Sequence, residues 1–340
     1  MYSFKNDYSE GAHPRLLNAL TNTNLDQTEG YGEDHFCEKA KATLKEIIGL
    51  NTLDIHFFVG GTQTNLTALS AFLRPHQAII SVDSGHICVH ETGAIEATGH
   101  KIIAQAGKDG KLRVKDINSA LAYHTDEHMV KPKLVYISNS TEVGSLYSKN
   151  ELEALSACCK ENKLIFYMDG ARLGSALMST ANDVTLKDLA TLLDAFYIGG
   201  TKNGALFGEA LVISNAVLNE DFRYHIKQKG GLLAKGRLLG IQFLELFKDN
   251  LFFDLAKHAN DMADLLRSGI QEYGYNFLSN APTNQIFPIF KEDIVLALEK
   301  EFAFYRWSED ERGIAIRLIT SWATEEKEVK RFLDLLGTIK

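Results

Sequence analysis

Proline is scarce in this sequence, five among 340 residues, and no long polar tract accompanies it. That composition excludes extended disordered linkers. Cysteine is scarcer still: Cys37, Cys88, Cys158 and Cys159 are the whole set. An adjacent pair is a poor disulfide and no CxxC spacing marks a metal site, so reduced thiols in a cytoplasm are expected, and no metal. Long apolar runs are missing too. Nothing approaches the roughly eighteen consecutive apolar residues of a membrane span, and the opening MYSFKNDYSEG has no apolar signal core. Neither membrane insertion nor secretion is expected. Positive charge is in deficit, with 36 Lys and Arg against 44 Asp and Glu and a formal charge of −8. Phosphate-backbone binding relies on clustered cations, so nucleic acid is not an expected partner; solubility is the ordinary consequence of the acidic balance.

The length, 340 residues, exceeds what one compact core usually holds, so a large domain and a smaller one are expected. Short apolar runs at Ile55–Val59, Ala78–Val82, Leu134–Ser138, Leu164–Met168, Ala195–Ile198 and Ala210–Ile213 predict strands. Asn65–Leu73, Lys149–Lys160 and Leu186–Leu193 predict helices between them. This alternation implies an α/β fold with a mostly parallel sheet and helices on both faces. After about residue 235 strand signals thin out, and Leu238–Phe247 and Leu251–Leu266 read as long helices. A strand at Gly313–Ile319 and a helix at Glu325–Leu336 close the chain. The expected organisation is an N-terminal arm over 1–40, a large domain over 41–240 and a small C-terminal domain over 241–340.

Three segments carry chemistry. Val59-Gly60-Gly61-Thr62-Gln63-Thr64-Asn65 follows a strand and opens a helix, where glycines admit close backbone approach and free N–H groups favour an anion. It is neither a Walker loop nor GxGxxG. A tight strand-to-helix turn capped by Thr accounts for it equally well. Tyr167-Met168-Asp169-Gly170-Ala171-Arg172 lies at the carboxyl end of a strand, where open α/β sheets bind ligands. An Asp169–Arg172 ion pair that merely closes a loop is the competing reading. Tyr197-Ile198-Gly199-Gly200-Thr201-Lys202-Asn203-Gly204 sets a lysine among glycines after another strand. Such an amine has room to release and recapture a ligand, although a solvated loop lysine is the default. Together, an anion cradle, an acid at a strand end and a lysine on a later glycine loop are the three anchors of pyridoxal phosphate.

Longer segments then carry a family resemblance: Tyr31-Gly32-Glu33-Asp34, Gly61-Thr62-Gln63-Thr64-Asn65, Gly85-His86-Ile87, Glu91-Thr92-Gly93-Ala94, Asp169-Gly170-Ala171-Arg172-Leu173, Gly199 to Gly204 and Arg317-Leu318-Ile319-Thr320-Ser321-Trp322. In these the chain resembles the threonine aldolase and β-eliminating lyase family of fold-type-I pyridoxal-phosphate enzymes, in the branch called low-specificity L-threonine aldolases. The resemblance implies an aspartate-aminotransferase-like three-layer fold with a smaller C-terminal α+β domain. It implies that Lys202 forms the imine with the cofactor, Asp169 pairs with the pyridine nitrogen, Gly61 and Thr62 hold the phosphate, and His86 stacks on the ring. Arg172 falls by the ring hydroxyl or the substrate carboxylate, Arg317 grips that carboxylate, and Asn6 stands where the family usually has a carboxylate-binding Ser. Lys235, with Lys229 close behind, would reach a neighbouring subunit's phosphate, and Tyr31 would cross as well. A homodimer or homotetramer with shared active sites follows.

One departure bears on mechanism. The family's aldolases often carry Asn-Thr-His-Asn after the strand corresponding to Leu134–Ser138, whereas this chain reads Asn139-Ser140-Thr141-Glu142-Val143-Gly144. Thr141 does not titrate near neutral pH, so the base is sought in His86, Glu91, His90 or a water. The implied reaction is cleavage of L-threonine or a related β-hydroxy-α-amino acid to glycine and an aldehyde. The alternatives are a β-eliminating lyase or racemase acting on a small amino acid, and a non-catalytic homologue that keeps the cofactor.

Overall fold

Strands that are apolar at nearly every position are buried on both faces, and this chain sets several of them side by side. The computed structural model describes residues 1–339. It begins with β1 (Tyr2–Ser3), α1 (Pro14–Asn22) and α2 (His35–Ile48). The alternating region then runs β2 (Asp54–Phe58), α3 (Gly61–Phe72), β3 (Gln77–Val82), α4 (His86–Val89), β4 (Lys101–Gln105), α5 (Val114–Tyr123) and β5 (Lys131–Ser138). It continues through α6 (Lys149–Glu161), β6 (Ile165–Asp169), α7 (Leu173–Leu177), α8 (Leu186–Leu192), β7 (Ala195–Gly199) and β8 (Glu209–Ile213). Helices α9 (Phe222–Gln228), α10 (Arg237–Leu246) and α11 (Leu251–Glu272) follow. The chain ends in β9 (Gln285–Ile286), β10 (Ile289–Phe290), α12 (Glu292–Leu298), β11 (Phe302–Ala303), β12 (Tyr305–Asp310), β13 (Gly313–Ile319) and α13 (Glu326–Ile339).

Seven strands form the central sheet in the order β2-β8-β7-β6-β5-β3-β4. All neighbours are parallel except β8, which runs against both β2 and β7. Alternate residues of each strand feed opposite faces. Val135, Ile137, Phe166, Met168, Phe196 and Ile198 enter one core. Leu134, Tyr136, Ile165, Tyr167, Ala195 and Tyr197 enter the other. Two cores on either side of one sheet make the three-layer architecture. The expected strands are all present. The one not expected is β4, an edge strand whose Lys101 and Ala104 are exposed, so its sequence lacks the fully apolar run of its neighbours.

Helix ends are written locally. Ser148 with Glu151 and Thr185 with Asp188 form reciprocal capping boxes at the starts of α6 and α8. Asp34 accepts from the Phe36 and Cys37 amides to start α2, and Gly49 ends it at φ 79°, a left-handed conformation that glycine adopts without steric cost. Helix α10 lies so close to α2 that a Cβ on Gly240 would come within 2.6 Å of the Cys37 amide nitrogen.

A third core joins α11, α12 and α13 to β13 through Leu266, Ile270, Val295, Ile316, Leu318, Phe332 and Leu336. Phe4, fully buried, belongs to this core, and β1 pairs in parallel with β11. The first residues of the expected N-terminal arm thus pack on the C-terminal part of the chain. β1 and β11 make a two-stranded sheet of their own, and the Phe4 carbonyl accepts from the Ile319 amide at the end of β13. Helix α1 forms within the first forty residues, and α2 runs from His35 to Ile48.

Candidate active site

Parallel strands direct their carboxyl ends, and the loops that follow, to one edge of a sheet. Here that edge receives Gly60 and Gly61 after β2, His86 after β3, Glu142 after β5, Asp169 at the end of β6 and Lys202 after β7. The reversed strand β8 begins at the same edge with Glu209. A cavity of about 560 Å³ opens there between His86, His90, Glu142, Lys202 and Arg317. It meets a recess of about 280 Å³ lined by Gly60, Gly61, Thr62, Asp169, Thr201 and Glu209. Lys202, His86 and Tyr8 border both spaces.

Asp169 forms the floor, and its carboxylate is saturated with donors. The Tyr197 hydroxyl donates to Oδ1 at 2.5 Å and the Ala171 amide at 3.0 Å. The Tyr136 hydroxyl donates to Oδ2 at 2.7 Å and the Asn65 amide at 3.0 Å. Burial pushes its pKa up, but His86 and the hydrogen bonds from Asn65, Tyr197 and Tyr136 more than offset this, leaving it below the usual carboxylate range. Tyr136 and Tyr167 lie side by side in register on β5 and β6, and the Tyr167 hydroxyl fixes Asn65 by donating to its Oδ1 at 3.0 Å.

Helix α3 starts at Gly61 with Gly60 as N-cap, and no side chain caps it. Its first amides therefore face the recess without intrahelical partners, the condition that favours an anion. A Cβ on Gly61 would come within 2.8 Å of the Tyr197 hydroxyl, so that residue must be glycine if the floor is to stay as it is.

The Lys202 ammonium lies 5.9 Å from the centre of the Tyr8 ring and makes no hydrogen bond to any described residue. Burial and the nearby Arg172 charge lower its pKa, against the pull of Asp7, Asp169 and Glu209. The Asp169–Arg172 ion pair considered from the sequence does not form. Arg172 instead makes a two-pronged pair with Asp7, Nε to Oδ2 at 2.7 Å and Nη2 to Oδ1 at 3.0 Å. Asn284 also donates to Asp7, at 2.9 Å. Arg317 is different. Its guanidinium sits against Trp307 and Tyr305, 4.8 and 5.1 Å from the ring centres. Its Nε is buried without a hydrogen-bond partner, and among the described residues no carboxylate pairs with it.

His86 presents its ring to both spaces and engages the buried Glu91 carboxylate through Nδ1 at 2.8 Å. Burial pulls its pKa down, while Glu91 and Asp169 lift it to a net rise. Asn65 bridges Glu91 and Asp169 by donating to both, at 2.7 and 3.0 Å. His90 is exposed at the cavity rim, and Thr62 is exposed at the start of α3. Asn6 is not on the cavity wall; its Oδ1 accepts from the Tyr8 amide and the Ser9 hydroxyl within its own turn. Lys235 is exposed and Lys229 partly so, and neither borders the cavity of its own chain; nor does Tyr31. The Thr141 hydroxyl is taken up by Ser145 Oγ at 2.8 Å.

The arrangement offers an anion seat, a fixed carboxylate, a lysine amine eased toward its neutral form and an unpaired guanidinium around one cleft. The sequence profile described as β-eliminating lyase matches residues 9–293. The chain belongs to the β-eliminating lyase family. Among its relatives is a protein named low specificity L-threonine aldolase from a Pseudomonas sp., 33% identical over 334 residues that span 96% of this chain and 94% of the relative. The solved structure of Leishmania major threonine aldolase superposes with a TM-score of 0.98 at 52% identity, covering 99% of each chain. Thermus thermophilus aspartate aminotransferase, at 14% identity, TM-score 0.74 and coverage of 100% of this chain and 92% of that one, shares the fold alone. The chain thus has the aspartate-aminotransferase-like α/β fold, and it is an enzyme of a pyridoxal-phosphate family.

Several site residues were not expected from the sequence. Asp7 and Asn284 lie 277 positions apart and meet only in the fold. Tyr136, Tyr167 and Tyr197 did leave a signal, because each puts a hydroxyl into an otherwise apolar strand. Glu142 has no such signal, because the departure from the family's pattern in its segment falls on Thr141 beside it.

Proposed function

We propose that this chain cleaves L-threonine or a related β-hydroxy-α-amino acid into glycine and an aldehyde, with pyridoxal phosphate held in the cleft. The observation that carries the reading is the convergence of Lys202, Asp169 and the uncapped start of α3 on one recess, with the unpaired Arg317 across the adjoining cavity. The residues fit the cofactor. Gly60, Gly61 and Thr62 would hold its phosphate at the free amides of α3, Asp169 would stand by its ring nitrogen as a fixed negative charge, His86 would cover its face and Lys202 would meet its aldehyde. When bound, that group supplies an aldehyde that condenses with amines and a ring that accepts the electrons of the bond being broken.

The protein's own part is binding, orientation and proton movement. Four donors fix Asp169 as an anion, so a cation opposite it stays protonated. The lowered pKa of Lys202 raises the fraction of neutral amine available to attack. Arg317 is free to take a substrate carboxylate through charge-assisted hydrogen bonds, while Arg172, already paired with Asp7, serves as a fixed cation at the cavity wall. Orienting the carboxylate orients the Cα–Cβ bond, which decides whether that bond or Cα–H is broken.

The same reading takes 41–240 as the large domain and 241–340 as the small one, places the enzyme in the cytoplasm, and makes Lys235 or Lys229 the residue that reaches a neighbouring subunit's site in a dimer or tetramer. Incubation with L-threonine should release glycine and acetaldehyde in equal amounts. Pyruvate from serine, or D-amino acid from L-amino acid, without aldehyde release would replace this reading with elimination or racemisation.

A further inference from the structure

Five carboxylates surround the cleft, and four of them are committed elsewhere. Asp7 is paired with Arg172, and Asp169 accepts four donors. Glu91 shares Oε1 between His86 and Asn65, and although its Oε2 is also buried without a partner, the side chain does not border the cavity. Glu209 accepts from the Thr201 hydroxyl at 2.9 Å and the Gly200 amide at 3.2 Å, inside the smaller recess.

Glu142 differs. It borders the larger cavity together with Lys202 and Arg317. One oxygen, Oε1, is anchored by the Ser138 hydroxyl at 2.7 Å and the His86 amide at 3.1 Å. The other, Oε2, is buried with no hydrogen-bond partner. A buried carboxylate oxygen without a donor is costly; Oε2 is covered, and a turn of the carboxylate toward the cavity it borders would bring that oxygen to a substrate hydroxyl and relieve the cost. The side chain is therefore oriented at one oxygen and unsatisfied at the other.

We propose that Glu142 is a catalytic residue, the base that takes the β-hydroxyl proton of the substrate. This rests on the aldol-cleavage reading. In the step, the substrate O–H bond breaks and its proton passes to the Glu142 carboxylate. The oxygen's freed pair forms the carbonyl of the departing aldehyde, the Cα–Cβ pair stays with Cα, and a proton there completes glycine. No oxidant or co-reactant is needed. Burial raises the Glu142 pKa, which makes its carboxylate a stronger proton acceptor. The titratable and charged groups in its electrostatic surroundings are His86, Asp169, Cys88, Tyr136, Tyr147 and Arg172.

The test compares Glu142→Gln with the parent enzyme, both loaded with cofactor. Gln keeps the size and can keep the Oε1 contacts, but it cannot accept the proton. The expected result is a fall of about 10²–10⁴-fold in kcat for threonine. KM should change by no more than a few fold, and the spectral response to glycine, which has no β-hydroxyl, should be retained. The parent's kcat/KM should fall on the acid side at a pH above the ordinary ~4.3 of glutamate, and the residual rate of Glu142→Gln should lack that limb. A variant that retains kcat within about threefold, or that loses the glycine response along with activity, overturns the proposal. A parent profile flat on its acid side overturns it independently of whether the variant folds. Failure of the parent to release glycine from threonine would instead defeat the aldol reading itself.

Discussion

The floor and the opposite wall of the cleft are built differently. On the floor, both Asp169 oxygens have donors, supplied by side chains from α3, β5 and β7 and by the Ala171 amide. On the wall, the Lys202 amine has no hydrogen-bond partner, and Arg317 Nε and Glu142 Oε2 are buried without one. A saturated group is costly to move and suits a permanent guest, because its geometry exists before the guest arrives. An unsatisfied group gains most from a visitor that supplies the missing partner and then leaves. The contrast separates where a cofactor would be held from where a substrate would come and go.

The comparison breaks first at Lys202. Lys202→Ala should reduce threonine cleavage by roughly 10³-fold or more and abolish the visible band of the loaded enzyme. Retention of the band would remove the amine from its assigned place. The next largest effect is on stability. Asp7→Ala leaves Arg172 without its buried carboxylate and should cost roughly 3–5 kcal/mol in denaturant unfolding; Asp7 is almost fully buried, so water cannot easily compensate. Arg317→Ala should lower kcat/KM for threonine by about 10–100-fold, chiefly through KM, as expected for a lost charge-assisted contact to the substrate carboxylate. The floor is tested more gently. Tyr136→Phe removes one of four donors and should cost about 1 kcal/mol of stability and a few fold in rate, because the remaining three hold Asp169 in place.

The smallest effect is in pH dependence. Burial raises the folded-state pKa of Glu142 above its unfolded value. Its contribution to stability is thus fully present below the unfolded value and is lost as pH rises through the folded one. Glu142→Gln removes that titration, so the melting temperature of the variant relative to the parent should rise as pH increases from below to above the ordinary ~4.3 of glutamate. A gap that stays constant, or runs the other way, would contradict a carboxylate whose charge is disfavoured by burial.

Much of this was legible along the chain because the relevant physics is local. Apolar runs marked β2, β3, β5, β6, β7 and β8, and the strand-to-loop junctions marked Gly61, Asp169 and Lys202. The edge strand β4 was less legible, since its half-solvated residues blur the apolar signal. The short strand β1 was illegible for a related reason. A two-residue strand such as β1 has no pattern of its own and exists only because β11 is there to pair with it.

Arg172 shows the limit most clearly. Three positions from Asp169, it was a natural partner for that carboxylate or for a ligand, yet it turned to Asp7, 165 residues away in sequence. The sequence alone determined the strand order of chemistry: glycines at one strand end, an acid at the next and a lysine at a third, because each depends on its immediate neighbours. Which atoms are satisfied and which are left waiting was decided only by the tertiary structure. Hydrogen-bond saturation is a property of distances between segments, and no spacing along one chain records them.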